Sequence, residues 1–342
     1  MPPVLLIAGG ITLGFALSWG LTALVRKYAL RTRMIDSPNH RTSHQGDIPR
    51  GGGLSIVVVM LLSLLVLSYV YSDRSIGLVM VVTLSLGALG WADDKMSLSP
   101  FLKIGVQLLV AIFAVRSAGM LDGITVAGYT ISFGPLAALV SVLWVVGMTN
   151  AYNFMDGIDG IAASHTAIVA CVMGAWFAVD QNGAMALFCY VIMASALGFL
   201  VWNWAPARIF MGDVGSVALG GVFAVLAILG NNEHGVPFTA YIVLYGVFLF
   251  DTTVTLVRRL SKGKIVWNPH REHYYQRATG LGMGHAKVTV YVIVTSTVLA
   301  VLASLEKFNV PPIGLWPLLA LLILISLVCA IHFKERSLTR HP

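Results

Sequence analysis

The chain has 342 residues, of which 57% are hydrophobic and only 11% are charged. A soluble protein of this length carries roughly a quarter charged residues, so the composition excludes a soluble globular fold and predicts an integral membrane protein without a separate soluble domain. The formal charge of +7 does not indicate a nucleic-acid partner. In a membrane protein, an excess of lysine and arginine is first explained by the topology of its loops and by contact with anionic headgroups.

Long apolar runs without an alternating strand pattern predict an all-α polytopic membrane protein in one domain, residues 1–342. We predict eleven transmembrane helices. Ten is the alternative, because the fourth and eighth runs are short for the roughly 17 to 25 residues that a crossing needs. The predicted spans are Val4–Val25, Leu54–Tyr71, Ile76–Ala92, Phe101–Val115, Ile131–Met148, Ile161–Val179, Ala184–Trp204, Val214–Leu229, Val236–Val257, Val288–Leu305 and Val310–Phe333.

Basic residues are distributed very unequally between the two sides of this topology. Nineteen of the 22 lysines and arginines fall in alternate loops on one side, and the exceptions are Arg74, Arg116 and Lys307. Since cytoplasmic loops carry the excess of basic residues, the rich side is predicted to be cytoplasmic. The amino terminus is then outside and the carboxyl terminus inside.

One connection on the predicted outer side has a pattern of its own. Apolar and small polar residues alternate from Gly123 to Phe133 around Ala127-Gly128. This pattern predicts a short β-hairpin on the outer surface, to which we attach no chemistry.

The stretch from Asn150 to Gly160 places four polar residues, Asn150, Asn153, Asp156 and Asp159, between two apolar runs. Hydrocarbon does not tolerate such a cluster, so it is expected at a water-facing membrane boundary where it binds a polar ligand. The alternative is an ordinary polar loop with two glycine turns. All the other polar clusters with chemical potential fall on the same predicted cytoplasmic side, which favours the functional interpretation.

Asp93 and Asp94 are adjacent carboxylates at the end of a predicted span, close to Lys95 and Lys103. Like charges at a low-dielectric boundary raise one of the two pKa values unless a cation or magnesium stabilises both anions. A solvated helix end is the alternative for the two aspartates, and snorkelling to the headgroups is the alternative for Lys103.

Asp213 lies where a predicted span begins, within Gly212-Asp-Val-Gly-Ser216. A carboxylate there is either a helix cap or, beside Asn153 and Asp156, a hard oxygen ligand for magnesium. The free amides of the helix would also favour a phosphate nearby.

The longest inner loop carries four basic candidates, His270, Arg271, His273 and Arg277. They form either a headgroup-binding patch or a site for a diphosphate and its leaving group.

Two further positions face the same side. Arg50 precedes three glycines that allow close approach of backbone to a ligand. Asp251 is either an ion-pair partner of Arg258 or a support for the site, and the sequence leaves both alternatives open.

Five motifs occur in one order along the chain: Pro49-Arg-Gly-Gly52, Asp93-Asp94, the run Asn150–Gly160, Phe210-Met-Gly-Asp-Val-Gly-Ser216, and the His/Arg loop. In this order they resemble the polyprenyl-phosphate N-acetylhexosamine-1-phosphate transferases of glycosyltransferase family 4. That family includes initiators of O-antigen and of enterobacterial common antigen, phospho-MurNAc-pentapeptide translocase, and the dolichol-phosphate GlcNAc-1-phosphate transferase. The resemblance runs from about Arg50 to Lys287.

The resemblance implies transfer of a sugar 1-phosphate from a UDP-N-acetylhexosamine to undecaprenyl phosphate at the lipid bilayer, with release of UMP. It implies magnesium, with manganese as an alternative, held by the residues matching Asp213 and Asn153. Lys103 is then expected to contact phosphates, and Asp93 and Asp94 to be essential. A homodimer is left open.

The resemblance further implies catalytic roles for Asp93, Asp94, Asp213 and His273. The expected substrate-binding residues are Arg50, Lys103, Asn150, Asn153, Asp156, Asp159, His270, Arg271 and Arg277.

The chain departs from the family pattern in the last motif. Much of the family carries His-x-His-His, whereas His273 is followed here by Tyr274, Tyr275 and Gln276. Only His273 and Arg277 match by position. This departure favours the branch that initiates O-antigen on a modified sugar such as FucNAc or QuiNAc.

We favour direct attack by the lipid phosphate on the β-phosphorus, with Asp93 or Asp94 keeping that phosphate deprotonated. A covalent aspartyl intermediate is the alternative mechanism. Two other classes of protein are alternatives. A secondary transporter of an anionic solute should carry ionisable residues deep in its spans, and a CDP-alcohol phosphotransferase should carry its aspartates in a single run with an arginine, which is missing here.

Overall fold

The computed structural model describes residues 3–36, 46–126, 128–265, 270–312 and 314–340. In these residues the fold is almost entirely helical, which confirms the predicted all-α polytopic class. The helices are α1 (Pro3–Thr32), α2 (Leu54–Val70), α3 (Arg74–Met96), α4 (Pro100–Ala118), α5 (Ala137–Met155), α6 (Ile161–Val179), α7 (Gly183–Asn203), α8 (Asp213–His234), α9 (Phe238–Leu244), α10 (Gly246–Ser261), α11 (Tyr274–Gly280), α12 (His285–Lys307) and α13 (Trp316–Arg340). The strands are β1 (Ile35–Asp36), β2 (Ile48–Pro49), β3 (Gly123–Val126) and β4 (Tyr129–Ser132).

Each predicted span overlaps a helix, or the pair formed by α9 and α10. Within the described ranges, nine helices are long and apolar enough to cross a membrane, the bent pair would be a tenth, and α2 is a shorter apolar helix of 17 residues. The fifth span was placed too early, since α5 begins at Ala137 after strand β4 and a 3-10 turn that contains Pro135. The number of crossings stays a prediction.

The predicted span Val236–Val257 is not one straight helix but is divided into α9 and α10. α9 and α10 meet at an angle of 80°, and the residue between them, Tyr245, has φ −87° and ψ 5°, outside the α-helical region. Its hydroxyl donates to the carbonyl of Phe223 at 3.0 Å, and the flexible Gly246 follows. Glycine is a common cause of kinks, and here a side-chain hydrogen bond holds the bend in place.

Helix α8 is the centre of the bundle. Every residue from Val214 to Gly230 is buried, and α8 packs against both α3 and α5. Gly220 lies against the backbone at Met148 and Thr149 in α5, where a Cβ would clash. Small residues allow such close approach between helices in membranes. The first residue of α8, Asp213, is therefore fixed by the most buried element of the fold.

Two pairs of short strands join the helices. β3 and β4 are antiparallel, with Gly123 opposite Ser132, while Ala127 of the predicted hairpin lies outside the described residues. Its location on the outer surface stays a prediction. β1 and β2 are also antiparallel, and the backbone of Pro49 accepts a hydrogen bond from Phe210 N at 2.9 Å. This contact brings Arg50 to the amino-terminal end of α8.

Candidate active site

Three glycines bring the ends of α2, α3 and α8 into backbone contact. A Cβ on Gly53 would lie 2.5 Å from the Cα of Gly215, and one on Gly90 would overlap the backbone of Asp213 and Val214. Gly52 N and Gly53 N also donate to the carbonyls of Phe210 and Met211, at 2.9 and 2.8 Å. The P-R-G-G, Asp-Asp and M-G-D-x-G-S motifs therefore form one structural unit.

Asp94 holds the amino terminus of α8. Its Oδ1 accepts from Asp213 N and its Oδ2 from Val214 N, each at 3.1 Å, and only 4% of the residue is exposed. Arg50 reaches the same residue, with Nη2 donating to the Asp94 carbonyl at 2.5 Å. Both carboxylate oxygens thus satisfy backbone amides that a helix start leaves without partners.

Asp93 and Asp213 are joined by one lysine. Lys103 Nζ lies 2.7 Å from Asp93 Oδ2 and 3.7 Å from Asp213 Oδ2. Asp93 Oδ1 also accepts from Leu98 N at 2.7 Å. The ammonium group of Lys103 therefore lies between two carboxylates, which argues against its extension to the lipid headgroups. We call Asp93, Asp94, Lys103 and Asp213 the acidic wall.

The Asp156–Gly160 loop is tied to two other helices. Asp159 Oδ2 accepts from Ala207 N at 3.1 Å, and Asp159 Oδ1 lies 3.2 Å from Nδ1 of His285, the first residue of α12. Asn203, at the end of α7, accepts from Gly160 N at 3.0 Å. Gly160 has a φ of +75°, which a residue with a side chain rarely adopts.

These elements enclose a polar cavity of about 250 Å³. Five predicted site residues line it: Arg50, Asn153, Asp156, Asp159 and Asp213. Its other lining residues are Asp36, Gly157, Ile158, Asn203, Phe210, Gly212, Gln276 and His285. The cavity therefore brings together residues from three of the five motifs, and Gln276 from within the fifth; Asp93 and Asp94 do not line it.

The cavity has an excess of negative charge. Burial, together with the nearby Asp213, Asp94 and Asp159, raises the pKa of Asp156 well above its usual range. No hydrogen bond to the Asp156 carboxylate is found among the described residues. A cation bound here would relieve the repulsion between these carboxylates.

The donor set fits one kind of magnesium site. In the described part of the chain, no three His, Cys, Asp or Glu side chains are close enough to ligate one ion. Asn153 Nδ2 donates to Ser216 Oγ at 3.1 Å, which leaves its Oδ1 as an acceptor. Magnesium is commonly bound by one or two carboxylates together with water and substrate phosphates, and Asp213, Asp156 and Asn153 match that pattern.

Helix α11 borders the cavity on another side, and we call it the α11 wall. Gln276 lines the cavity, and Tyr275 packs against Gly157 while its hydroxyl donates to the Phe154 carbonyl at 2.9 Å. His273, the N-cap of α11, is only 4% exposed and does not line the cavity. The predicted catalytic histidine therefore lies behind this wall.

Arg277 also points away from the cavity. Its guanidinium pairs with Glu335 of α13, with Nε at 2.8 Å from Glu335 Oε1, and contacts His332 Nδ1 at 2.9 Å. The carboxylate of Glu335 also raises the pKa of Arg277. The structure thus places this predicted substrate-binding residue in a contact between two helices.

Six more predicted residues do not line the cavity: Asp93, Asp94 and Lys103 of the acidic wall, and Asn150, His270 and Arg271. Asn150 donates to Gln107 Oε1 at 2.7 Å and joins α5 to α4. Arg271 is exposed on the loop before α11. Burial and the neighbouring His273 lower the pKa of His270 to about 4, so His270 is neutral at pH 7.

The sequence reasoning missed four polar residues that line the cavity, Asp36, Asn203, His285 and Gln276. Asn203 and His285 could have been found, because each is a polar residue at the end of an apolar run on the same side as the motifs. Gln276 was noted only as a departure from a family pattern, and nothing in the sequence indicates that it reaches the cavity.

The chain is similar to known membrane-bound transferases. The family model described as glycosyl transferase family 4 matches residues 76–231. A probable undecaprenyl-phosphate N-acetylglucosaminyl 1-phosphate transferase of Bacillus subtilis (strain 168) is 30% identical over 315 residues, which are 91% of this chain and 88% of the relative. The phospho-N-acetylmuramoyl-pentapeptide-transferase of Halalkalibacterium halodurans is 31% identical over 273 residues, covering 73% and 82%. The undecaprenyl-phosphate alpha-N-acetylglucosaminyl 1-phosphate transferase of Yersinia pestis is 27% identical over 333 residues, covering 94% and 90%.

Proposed function

Since this chain belongs to glycosyl transferase family 4, as one of its multi-pass polyprenyl-phosphate sugar-1-phosphate transferases, we propose that it transfers an N-acetylhexosamine 1-phosphate from a UDP-sugar to undecaprenyl phosphate. UMP is the second product. The names of the two undecaprenyl-phosphate relatives support the acceptor and the general reaction.

One observation carries the proposal. Asp213 lines a polar cavity together with Asn153 and Asp156, and Lys103 lies 3.7 Å from its carboxylate. Acidic ligands for a cation and a basic group for a phosphate thus lie side by side. A reaction between two anionic phosphates requires this combination, because their mutual repulsion has to be screened.

Magnesium bound by Asp213 and Asn153, with Asp156 beside them, would supply the charge neutralisation that the two phosphates need. The chain's own groups then position the reactants. Lys103 and Arg50 are the cationic side chains at the acidic wall, and their donors suit phosphate oxygens. Asp159, fixed by Ala207 N and near His285, lines the same cavity and is assigned to the nucleotide donor.

The transfer is proposed as a direct displacement. An oxygen of the lipid phosphate forms a bond to the β-phosphorus, and the bond from that phosphorus to the bridging oxygen breaks, with the electron pair leaving on UMP. Asp93 is the better candidate to keep the lipid phosphate deprotonated, because its side chain is 11% exposed whereas that of Asp94 is only 2% exposed. A covalent intermediate on an aspartate is the alternative.

The setting of the reaction is part of the proposal. The basic loops and the cavity belong to one side of the bundle, which we assign to the cytoplasmic face of a bacterial inner membrane. We assign the product to the start of a lipid-linked surface glycan such as O-antigen, with UDP-GlcNAc, UDP-FucNAc or UDP-QuiNAc as donor.

The test is an incubation of the purified protein with undecaprenyl phosphate, magnesium or manganese, and a panel of UDP-N-acetylhexosamines, with UMP release as the measurement. We expect release with one donor, dependence on both the lipid and the metal ion, and no release after chelation with EDTA. Absence of UMP with every donor would contradict the proposal and favour a transporter of an anionic solute.

A further inference from the structure

The carboxylate of Asp251 in α10 accepts four hydrogen bonds. Oδ1 accepts from His273 Nδ1 at 3.1 Å, from Tyr274 N at 2.9 Å and from Thr255 Oγ1 at 3.2 Å, and Oδ2 accepts from Tyr275 N at 3.1 Å. Asp251 is only 7% exposed. A buried carboxylate is costly unless its oxygens are satisfied, and here most of the donors come from the start of α11.

The alternative of an ion pair between Asp251 and Arg258 is not found. Arg258 donates to the carbonyl of Glu272 at 2.5 Å, and its guanidinium lies 3.7 Å from the Glu272 carboxylate. Among the described residues, the only ion-pair partner of Asp251 is His273. Apart from the bond from Thr255 in α10, the contacts of Asp251 are therefore with the start of α11.

The same contact selects the tautomer of the His273 ring. An ionised carboxylate can only accept, so Nδ1 must carry a hydrogen, and in the neutral ring Nε2 carries the lone pair. The ring also stacks near Tyr275, with the two centroids 5.9 Å apart and the planes at 19°. Asp251 thereby fixes both the tautomer and the orientation of the α11 N-cap.

The position of the α11 N-cap affects the cavity through Tyr275 and Gln276. Tyr275 supports the turn after α5 through the Phe154 carbonyl and Gly157, on either side of Met155 and Asp156. Gln276 Oε1 accepts from His273 N at 3.3 Å, and Gln276 lines the cavity. A shift at the start of α11 would therefore move both the support of Asp156 and the Gln276 side chain.

We propose that Asp251 is a positioning residue for the transfer reaction, which holds α11 against the Asp156 loop and places Gln276 at the cavity. This inference rests on the proposed function. Asp251 touches no reactant; it acts through His273, Tyr275 and Gln276.

Asp251→Asn is the direct test, because the amide keeps the volume but presents an N–H where Tyr275 N needs an acceptor. We expect kcat to fall about 10- to 100-fold or KM for the UDP-sugar to rise by that factor, as for other supports of site residues. Asp180→Asn is the matched control. Asp180 pairs with Lys307 at 2.8 Å at the opposite end of α12, so its loss should lower the melting temperature and leave kcat and KM unchanged. Equal kinetics for Asp251→Asn and the unchanged protein would overturn the inference.

A double-mutant cycle separates positioning from general damage. If Asp251 acts through Gln276, the double variant Asp251→Asn/Gln276→Ala should be no less active than the worse of the two single variants. Fully additive losses would overturn this route. Should Asp251→Asn fail to fold, Tyr275→Phe removes the hydroxyl that donates to the Phe154 carbonyl, and it should raise KM several-fold; unchanged kinetics would then count against the inference.

A measurement independent of turnover distinguishes failure of the inference from failure of the proposed function. In ¹⁵N NMR of the histidine-labelled protein, the His273 ring should be the Nδ1–H tautomer, and this signal should change in Asp251→Asn and persist in Asp180→Asn. An Nε2–H tautomer in the unchanged protein would overturn the inference, whichever substrates the enzyme uses. Absence of UMP release with the predicted tautomer present would count only against the proposed function.

Discussion

The acidic wall and the α11 wall border the same cavity but are held in different ways. The acidic wall rests on backbone contact, at Gly90 with α8 and at Gly53 with Gly215. The α11 wall is a helix of seven residues that side chains hold from two sides, Asp251 of α10 and Glu335 of α13. The acidic wall is therefore fixed by backbone packing together with hydrogen bonds to the backbone, and the α11 wall by polar side chains of neighbouring helices.

The two walls differ in how clearly the sequence indicates them. Glycines that permit close contact and aspartates that cap helices are local features, so they stand out as motifs. Polar contacts between distant helices leave no local pattern, because each partner is an ordinary polar residue in its own segment. We therefore expect substitutions in the acidic wall to lower the rate of transfer most. Substitutions that loosen the α11 wall should have smaller effects on activity.

The largest effect is expected at the acidic wall. Asp213→Asn removes the charge of the proposed metal ligand and should lower kcat by about a thousandfold or more, since electrostatic groups at a reacting centre contribute on this scale. The protein should still insert and melt near the temperature of the unchanged protein. Near-normal magnesium-dependent turnover would show that Asp213 does not hold the metal ion.

The glycine contact should tolerate no side chain. Gly90→Ala places a methyl group against the backbone of Asp213, and overpacking of this kind costs about 1–3 kcal/mol. We expect a lower melting temperature and a loss of activity, because Asp94 and Asp213 move together. Gly105→Ala is the matched control, since a Cβ at Gly105 in α4 meets nothing within 4 Å. If both variants melt alike, the close contact is not what fixes this wall.

The charge in the cavity predicts a pH dependence of stability. The raised pKa of Asp156 means that the folded chain binds this proton more tightly than the unfolded chain, so stability falls as the pH rises from 3.8, the usual value, through the raised pKa. Melting curves without metal ions should show this fall in the unchanged protein and a smaller fall in Asp156→Asn. Magnesium should oppose it. Identical pH profiles of the two proteins would argue against a raised pKa of Asp156.

The smallest effect is expected where α13 holds the α11 wall. Glu335→Gln weakens the ion pair with Arg277, and partly exposed pairs contribute about 0–1 kcal/mol. KM for the UDP-sugar should rise less than about fivefold with kcat nearly constant, and Glu335→Asp should behave like the unchanged protein. A loss as large as that of Asp251→Asn would mean that α13 is as important to the site as α10.

Much of the fold and of the acidic wall could be predicted from the sequence. Apolar runs give helices because a lipid environment leaves backbone groups no other partner. The motifs also located the cavity, since Arg50, Asn153, Asp156, Asp159 and Asp213 all line it.

The sequence could not predict the α11 wall, for physical reasons. The 80° bend depends on a hydrogen bond between Tyr245 and the distant Phe223, and no proline lies at the bend to mark it in the sequence. Arg277 looks like a phosphate ligand until Glu335, 58 residues further on, is placed beside it. His273 matches the family motif, yet its contact with Asp251 turns it into a helix cap.

The backbone contact at Gly90 has a consequence for how substrates are accommodated. In the acidic wall, the main chains already touch and have almost no conformational freedom left to lose when a ligand binds. Its charged side chains are therefore preorganised before any ligand arrives. The conformational entropy lost when a ligand binds is then lost mainly by α11, the short helix on the other side of the cavity. Selectivity for one donor sugar over another would consequently be tuned by exchanging residues in that helix, without disturbing the groups that act on the diphosphate.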